Sequence, residues 1–310
     1  MATFLNAVSS VTIILLLTAV GYFCAAKGWM GPEVKAFISK YLMAVAVPIM
    51  CVYGLRSNLT REALSHSGSA LLAAFLTIVV SMCLSLAVGR LLKLPRRQLG
   101  VFIMMCGVSN SLFIGYAMCS VLFGEACAFD VMLFYLVNTS FTQIVGISLV
   151  RWSGESGGFN RQMLFKFLTA PAVLSVFVAF LLVLADIQLP DMLMSFMRYV
   201  NNTVTPLALL LTGYIIYEIG LKNLRIDKSL SLVMVFRFLI SPALMIALCH
   251  VFGIEGLTRS VLVVEAAMPV VTQTVVAAAE YGADAQYAAR GAALTTLACF
   301  VVIPVLMVLL

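Results

Sequence analysis

The chain has 310 residues, of which 63% are hydrophobic and 10% are charged, and its formal net charge is +6 at pH 7. Its mean hydropathy is +1.10. A soluble domain carries charge on about a quarter of its residues, so this composition excludes a soluble globular protein. Long apolar runs need helices to satisfy their backbone in lipid, and the sequence therefore predicts an all-α polytopic membrane protein.

Apolar runs separated by short polar breaks predict ten membrane-spanning helices along the chain. The first run starts at Phe4 with no basic region before it, which indicates a retained span and not a cleaved signal peptide. The predicted spans are, in order, 4–26, 33–55, 67–92, 98–123, 129–150, 163–185, 190–217, 228–252, 257–280 and 284–309.

The longest polar break, residues 151–162, divides the chain into two units of five spans, 1–150 and 163–310. An odd number of spans per unit means that the second unit, if it is related to the first, is inserted upside down. Several residues match between the units at one offset of about 158, which predicts an inverted repeat. The alternative is that span ends converge on Gly and Pro by chance. The matches include Pro32 with Pro190, Pro48 with Pro206, and Gly124 with Gly282.

Basic residues concentrate in alternate loops, which fixes the expected orientation in the membrane. Loops on the other side of the membrane hold only Arg56, Arg61 and Arg259. The positive-inside rule then makes loop 151–162 cytoplasmic and places both termini outside the cytoplasm, in the plasma (cell inner) membrane. The net positive charge thus reflects topology, and no nucleic-acid partner is predicted. The cytoplasmic set includes Lys27, Lys35, Arg90, Lys93, Arg96, Arg97, Arg151, Arg161, Lys166, Lys222, Arg225 and Lys228.

The ninth predicted span contains Pro269, which lacks the N–H that would bond the carbonyl of Glu265. A break in a membrane helix is tolerated where it faces protein or a wet cavity, and the polar residues Thr272 and Gln273 follow at once. The second half of such a helix presents a positive N-terminal end at mid-depth, where anions bind. The alternative is an ordinary packing kink.

Glu265 and Arg237 are charged residues predicted to lie deep in the membrane, in the ninth and eighth spans. A charged, unpaired carboxylate at a helix centre costs about 2.5–3.5 kcal/mol, so Glu265 is expected to be paired, protonated or solvated. Two roles stay open for it. Glu265 either binds and releases a coupling proton or forms a structural ion pair, for which Arg237 is a candidate partner.

The fourth predicted span is interrupted by Gly107, by Ser109, Asn110 and Ser111, and by Gly115. Glycine costs about 1 kcal/mol in a helix, and Ser and Asn side chains compete for backbone groups, so this helix can unwind without a proline. Two helices broken at one depth and crossing each other would bring two positive half-helix ends together. The alternative is that the glycines only permit close helix packing.

Further polar residues at mid-depth predict a substrate cavity around that crossing. Asn138 interrupts the fifth span, and Pro206 in the seventh frees the carbonyl of Asn202. No enzyme, cofactor or metal site is predicted, because the eight cysteines stand singly and the two histidines belong to no motif. The predicted substrate-binding residues are Ser109, Asn110, Ser111, Pro269, Thr272, Gln273, Asn138 and Asn202.

Three sequence elements stand out together: Ser109-Asn110-Ser111 followed by Phe113-Ile114-Gly115, Ala266-Ala267-Met268-Pro269 with Ala277 to Tyr281-Gly282, and Pro206-Leu207-Ala208 followed by Thr212-Gly213. With these elements the chain resembles the auxin efflux carrier family. The resemblance covers the whole chain and implies a ten-span secondary carrier with inverted repeats, whose fourth and ninth helices cross at broken points that hold an organic anion. Ala117 departs from the family pattern, which has a proline just beyond the glycine of the fourth span.

The sequence therefore predicts a secondary transporter of a small organic anion, a carboxylate such as malonate, malate or an auxin-like acid. An anion channel and a non-transporting membrane receptor on the same fold stay open as alternatives. The identity of the carboxylate, the direction of transport, coupling to protons or sodium, and a homodimeric state are all left open.

Overall fold

The structure, a computed structural model, describes residues 2–58, 61–154, 161–185, 187–220 and 226–309. Within these ranges every regular element is a helix. The α-helices are α1 (Ala2–Ala26), α2 (Pro32–Tyr41), α3 (Val47–Asn58), α4 (Arg61–Leu91), α5 (Arg96–Gly107), α6 (Ala117–Phe123), α7 (Ala128–Ser140), α8 (Ile147–Ser153), α9 (Arg161–Leu168), α10 (Pro171–Leu184), α11 (Asp191–Ile219), α12 (Lys228–Val235), α13 (Ser241–Val251), α14 (Gly256–Ala266), α15 (Gln273–Glu280) and α16 (Ala285–Leu309).

Within the described residues, five continuous helical stretches are long and apolar enough to cross a membrane. They coincide with the second, third, fifth, eighth and tenth predicted spans, which confirms an all-helical polytopic membrane protein. Two shorter apolar helices, Val11–Ala26 and Ser111–Phe123, fall in the first and fourth predicted spans. The count of ten spans stays a prediction. The five stretches are Pro32–Gly54, Ser67–Leu91, Glu125–Ser153, Lys228–Val251 and Ala285–Val308.

Some predicted spans are not single regular helices. The sixth, expected at 163–185, is divided into α9 and α10 at Pro171, which begins α10 because its missing N–H is tolerated in a first turn. In the described part of the chain, four π-helical turns also interrupt predicted spans, and such turns are frequent at functional sites. They are Leu42–Ala46, Ser111–Tyr116, Phe141–Gly146 and Phe236–Ile240.

Close contact between α1 and α11 depends on glycine. A Cβ added at Gly21 would collide with the Leu210 carbonyl, and one at Gly213 would collide with the Thr18 carbonyl. Helices in lipid lack a hydrophobic driving force between them, so small residues that let the backbones approach supply packing energy. These two glycines therefore fix the distance between α1 and α11.

The predicted connection between the two halves, 151–162, is only partly described. Helix α8 ends at Ser153 and α9 begins at Arg161, and residues 155–160 lie outside the described residues. The division of the chain into two five-span units stays a prediction.

Candidate functional site at the helix crossover

The fourth span is broken between α5 and the π-helical turn that starts at Ser111. Helix α5 ends at Gly107, after which Val108 adopts an extended conformation. The side-chain oxygen of Asn110 accepts a hydrogen bond from the Phe113 N–H at 3.3 Å and so caps the second half. The predicted interruption therefore lies at Val108–Asn110, without a proline.

The ninth span is broken between α14 and α15. Helix α14 ends at Ala266, and the chain runs through Ala267–Thr272 before α15 begins at Gln273. Pro269 lies inside this connection, as expected from its missing N–H.

The two breaks are bonded to each other through their backbones. Ser109 and Val270 form an antiparallel bridge. The Asn110 N–H donates to the Pro269 carbonyl at 2.8 Å. These residues are buried, so each such bond satisfies backbone groups that would otherwise be unpaired at depth. The breaks after α5 and after α14, in the fourth and ninth predicted spans, therefore meet in space, and we call this place the crossover.

Each break is also held by a side chain from a neighbouring helix. Asn138 of α7 accepts from the Ser109 N–H at 2.9 Å and donates to the Ser109 carbonyl at 2.8 Å. Thr295 of α16 accepts from the Val270 N–H at 3.1 Å. Asn138 thereby acts on the backbone of the first break, and Thr295 acts on the second. The predicted substrate-binding residues do not include Thr295, because its role as a hydrogen-bond acceptor depends on its position opposite Val270.

A small cavity opens beside the crossover. Six of the eight residues predicted to bind substrate line it, and no Lys, Arg, Asp or Glu side chain is among its lining residues. The N-terminal ends of both second half-helices, at Ser111 and Gln273, border this space. The six are Ser109, Asn110, Ser111, Asn138, Thr272 and Gln273.

A second cavity lies against another part of the crossover and shares two residues with the first, Asn110 and Thr272. The first cavity is completed by residues of the second and fifth predicted spans, such as Met43 and Thr142. The second is completed by residues of the seventh and tenth, such as Thr212 and Thr296. Asn110 and Thr272 therefore lie where the two cavities adjoin.

The side chains of two predicted substrate-binding residues, Asn110 and Asn202, are placed very differently in the structure. Asn110 does not have both hydrogen-bonding functions free, because its oxygen caps the second half-helix. Asn202 lies on an exposed face of α11, whereas its neighbour Asn201 is buried and accepts from the Tyr116 hydroxyl at 3.0 Å. One residue along a helix turns the side chain by about 100°, so the sequence did not distinguish which asparagine faces inward.

Glu265 is fully buried at the end of α14. Its Oε1 accepts a weak hydrogen bond from the Cys119 thiol at 3.6 Å, and its Oε2 is a buried atom with no hydrogen-bond partner among the described residues. A Cβ on Gly115 would lie 2.5 Å from Glu265 Oε2, so the absence of a side chain at Gly115 makes room for the carboxyl group.

Arg237 and Glu265, considered above as a possible ion pair, form no salt bridge with each other in the structure. Arg237 is also buried, but its guanidinium donates to the carbonyls of Cys106, Ala266 and Met268. Another carboxylate, Glu218 at the end of α11, pairs with Lys35 at 2.5 Å. That pair is the only salt bridge within the described residues. The positive charge of the guanidinium is therefore balanced by the negative ends of backbone carbonyl dipoles, whereas a carboxylate was the expected partner.

Comparison with known proteins agrees with this architecture. A family model described as membrane transport protein matches residues 6–159 and 158–307, nearly the whole chain. The chain belongs to this family. The resemblance to the auxin efflux carriers is confirmed at the level of the family.

Two relatives of this chain carry names that state a general activity. An uncharacterized transporter of Methanocaldococcus jannaschii is 24% identical over 92% of this chain and 93% of its own length. An uncharacterized transporter of Methanothermobacter thermautotrophicus is 24% identical over 99% of both chains. The protein is accordingly a membrane transport protein by family.

Proposed function

We propose that the protein is a secondary carrier of a small organic anion, a carboxylate of the malonate, malate or auxin-like class. The observation that carries this proposal is the pair of broken helices, bonded at Asn110 and Pro269, whose second halves begin beside one polar cavity. Half-helix N-terminal ends carry partial positive charge and unpaired N–H groups, which bind carboxylates.

The cavity lining favours a small anion bound by dipoles. No lysine or arginine lines the cavity, so attraction would come from the half-helix ends together with the Asn110 amide and the Ser and Thr hydroxyls. Polar groups of this kind bind a carboxylate by hydrogen bonds. A metal or cofactor has no part in this proposal.

We propose alternating access across the crossover, with the two adjoining cavities as the two routes. Residues of the second and fifth predicted spans complete the first cavity, and residues of the seventh and tenth predicted spans complete the other cavity. In an inverted repeat the second span is equivalent to the seventh, and the fifth is equivalent to the tenth. Asn110 and Thr272 adjoin both cavities and would face the substrate from either side. In this proposal the ten spans form two inverted five-helix units.

Glu265 supplies a candidate for proton coupling. Its Oε2 is buried and has no hydrogen-bond partner in the part of the chain that the structure describes. A charged carboxylate in that state is costly, so we propose that the carboxyl group binds a proton during the cycle. The group lies directly behind Gly115 of the first crossing helix. Movement at the crossover would therefore change its surroundings.

Proteoliposomes test the proposed function. The compounds to test are radiolabelled malonate, malate and indole-3-acetate, and at least one of them should enter the vesicles with saturable kinetics. Unlabelled substrate inside the vesicles should accelerate that uptake. A channel conducts without this acceleration, and a receptor binds without flux. Absence of saturable uptake across a panel of small mono- and dicarboxylates, with the protein correctly inserted, would overturn the proposal.

A further inference from the structure

Arg237 is an arginine held deep in the protein by backbone carbonyls. Its side chain is 1% exposed and belongs to the π-helical turn Phe236–Ile240. Its Nε and Nη2 donate to the Met268 carbonyl at 2.9 and 2.7 Å. Its Nη2 also donates to the Ala266 carbonyl at 2.8 Å, and its Nη1 donates to the Cys106 carbonyl at 3.3 Å.

These carbonyls are available because the two crossing helices are broken. In an unbroken helix the Cys106 carbonyl would accept from the Asn110 N–H, but that N–H donates to Pro269. The Ala266 carbonyl would likewise accept from the Val270 N–H, but that N–H donates to Thr295. Both carbonyls lie at the negative C-terminal end of a first half-helix, α5 or α14.

Carbonyl oxygens that converge from broken helices have the chemistry of a cation site, because such ends carry negative partial charge. We propose that the carbonyls of Cys106, Ala266 and Met268 form a cation-binding cage, which the protein fills from within by the guanidinium of Arg237. Arg237 is then a positioning residue that ties α5 to α14 and leaves the positive half-helix ends to face the substrate cavity.

Once the guanidinium of Arg237 is removed, the cage should bind a free cation that has the shape of a guanidinium group. Arg237→Ala deletes the guanidinium and leaves the carbonyls in place, so guanidinium ion is the appropriate probe. In detergent-purified protein, Arg237→Ala should have a lower Tm than the original protein. Guanidinium chloride at about 20 mM should raise the Tm of this variant by about 2 °C or more, because ligand binding stabilises the folded state.

Four controls separate a specific site from general effects. Urea has nearly the same shape without the charge, and choline chloride matches the ionic strength, so neither should raise the Tm of Arg237→Ala. Arg198→Ala removes an arginine from an exposed face of α11, and its Tm should not respond to guanidinium. The original protein, whose cage is occupied, should not respond either.

A Tm of Arg237→Ala that guanidinium leaves unchanged, or that urea raises equally, would overturn the proposal. If Arg237→Ala does not fold, the comparison moves to Arg237→Lys and Arg237→Met, which have similar stems. Lys keeps a positive charge near the carbonyls, so its variant should have the higher Tm, and equal Tm values would again overturn the cage. Because unfolding is measured, failure to detect organic-anion transport would not affect this result.

Discussion

Asn110 is the residue of the first broken helix that we propose contacts a bound anion. Its side-chain oxygen is used as a helix cap, and its amide Nδ2 donates to no group within the described part of the chain. It also lines both cavities at the crossover. A donor in that position is available to a carboxylate oxygen from either side.

Asn110→Ala is therefore expected to weaken substrate binding. Loss of a hydrogen bond to a charged group costs about 1.5–3 kcal/mol, which corresponds to a roughly tenfold to hundredfold higher apparent substrate constant in uptake assays. Asn110→Ser should show the same loss while keeping an oxygen that can cap the helix. Asn202→Ala, on the exposed face of α11, is the matched control and should transport normally. Unchanged uptake by Asn110→Ala would remove Asn110 from the site.

Glu265→Gln tests whether this carboxyl group couples transport to protons. Gln resembles the protonated form in shape, so the variant should keep substrate exchange but lose gradient-driven accumulation and its pH dependence. Uptake into proteoliposomes with and without an imposed pH gradient measures both. Glu280→Gln changes an exposed carboxylate at the end of α15 and should behave like the original protein. Full accumulation by Glu265→Gln with an unaltered pH profile would leave Glu265 without a proton role.

At the scale of the elements, the crossover depends on side chains from α7 and α16. Asn138 and Thr295 satisfy backbone groups at the two breaks, which the broken helices cannot satisfy by themselves. A buried N–H left without a partner costs about 1–3 kcal/mol. The breaks are therefore stable only while both neighbouring helices are in place.

Thr295→Val is expected to destabilise the protein by about 1–3 kcal/mol, because it leaves the Val270 N–H without an acceptor at nearly constant volume. The measurement is a lower Tm in detergent. Thr296→Val is the matched control on the next residue, since the Thr296 hydroxyl bonds only the Ala292 carbonyl of its own helix within the described residues. Equal Tm values for the two variants would contradict a special role for Thr295.

At the scale of the whole molecule, the predicted orientation of the two halves is open to direct measurement. Single cysteines placed at Ser156, Gly124 and Glu255 in a cysteine-free background should be labelled from opposite sides. The positive-inside rule keeps basic loops in the cytoplasm. The cysteine introduced at Ser156 should therefore react from the cytoplasmic side, and those introduced at Gly124 and Glu255 should react from outside. Labelling of all three from one side would refute the inverted arrangement and, with it, the two equivalent access routes.

The sequence by itself determined the class of the protein and the places where its helices break. Composition and apolar run length are sufficient for an all-helical membrane protein, because lipid excludes other backbone arrangements except closed barrels. Pro269 and the Gly107–Gly115 region act on their own backbone, through a missing N–H and through low helix propensity, so both breaks were predictable from local chemistry. Most of the predicted cavity residues lie next to those breaks along the chain.

Only the tertiary structure decided which groups meet across the chain. Which of Asn201 and Asn202 faces inward depends on the rotation of α11 against its neighbours. The partners of Arg237 depend on α5 and α14 ending at the same point in space, which makes backbone carbonyls available in place of the expected carboxylate. The hydrogen bond between Asn138 and Ser109 depends on α7 lying beside the break after α5. Each of these contacts joins residues about 30 to 130 positions apart, and local chemistry does not encode such distances.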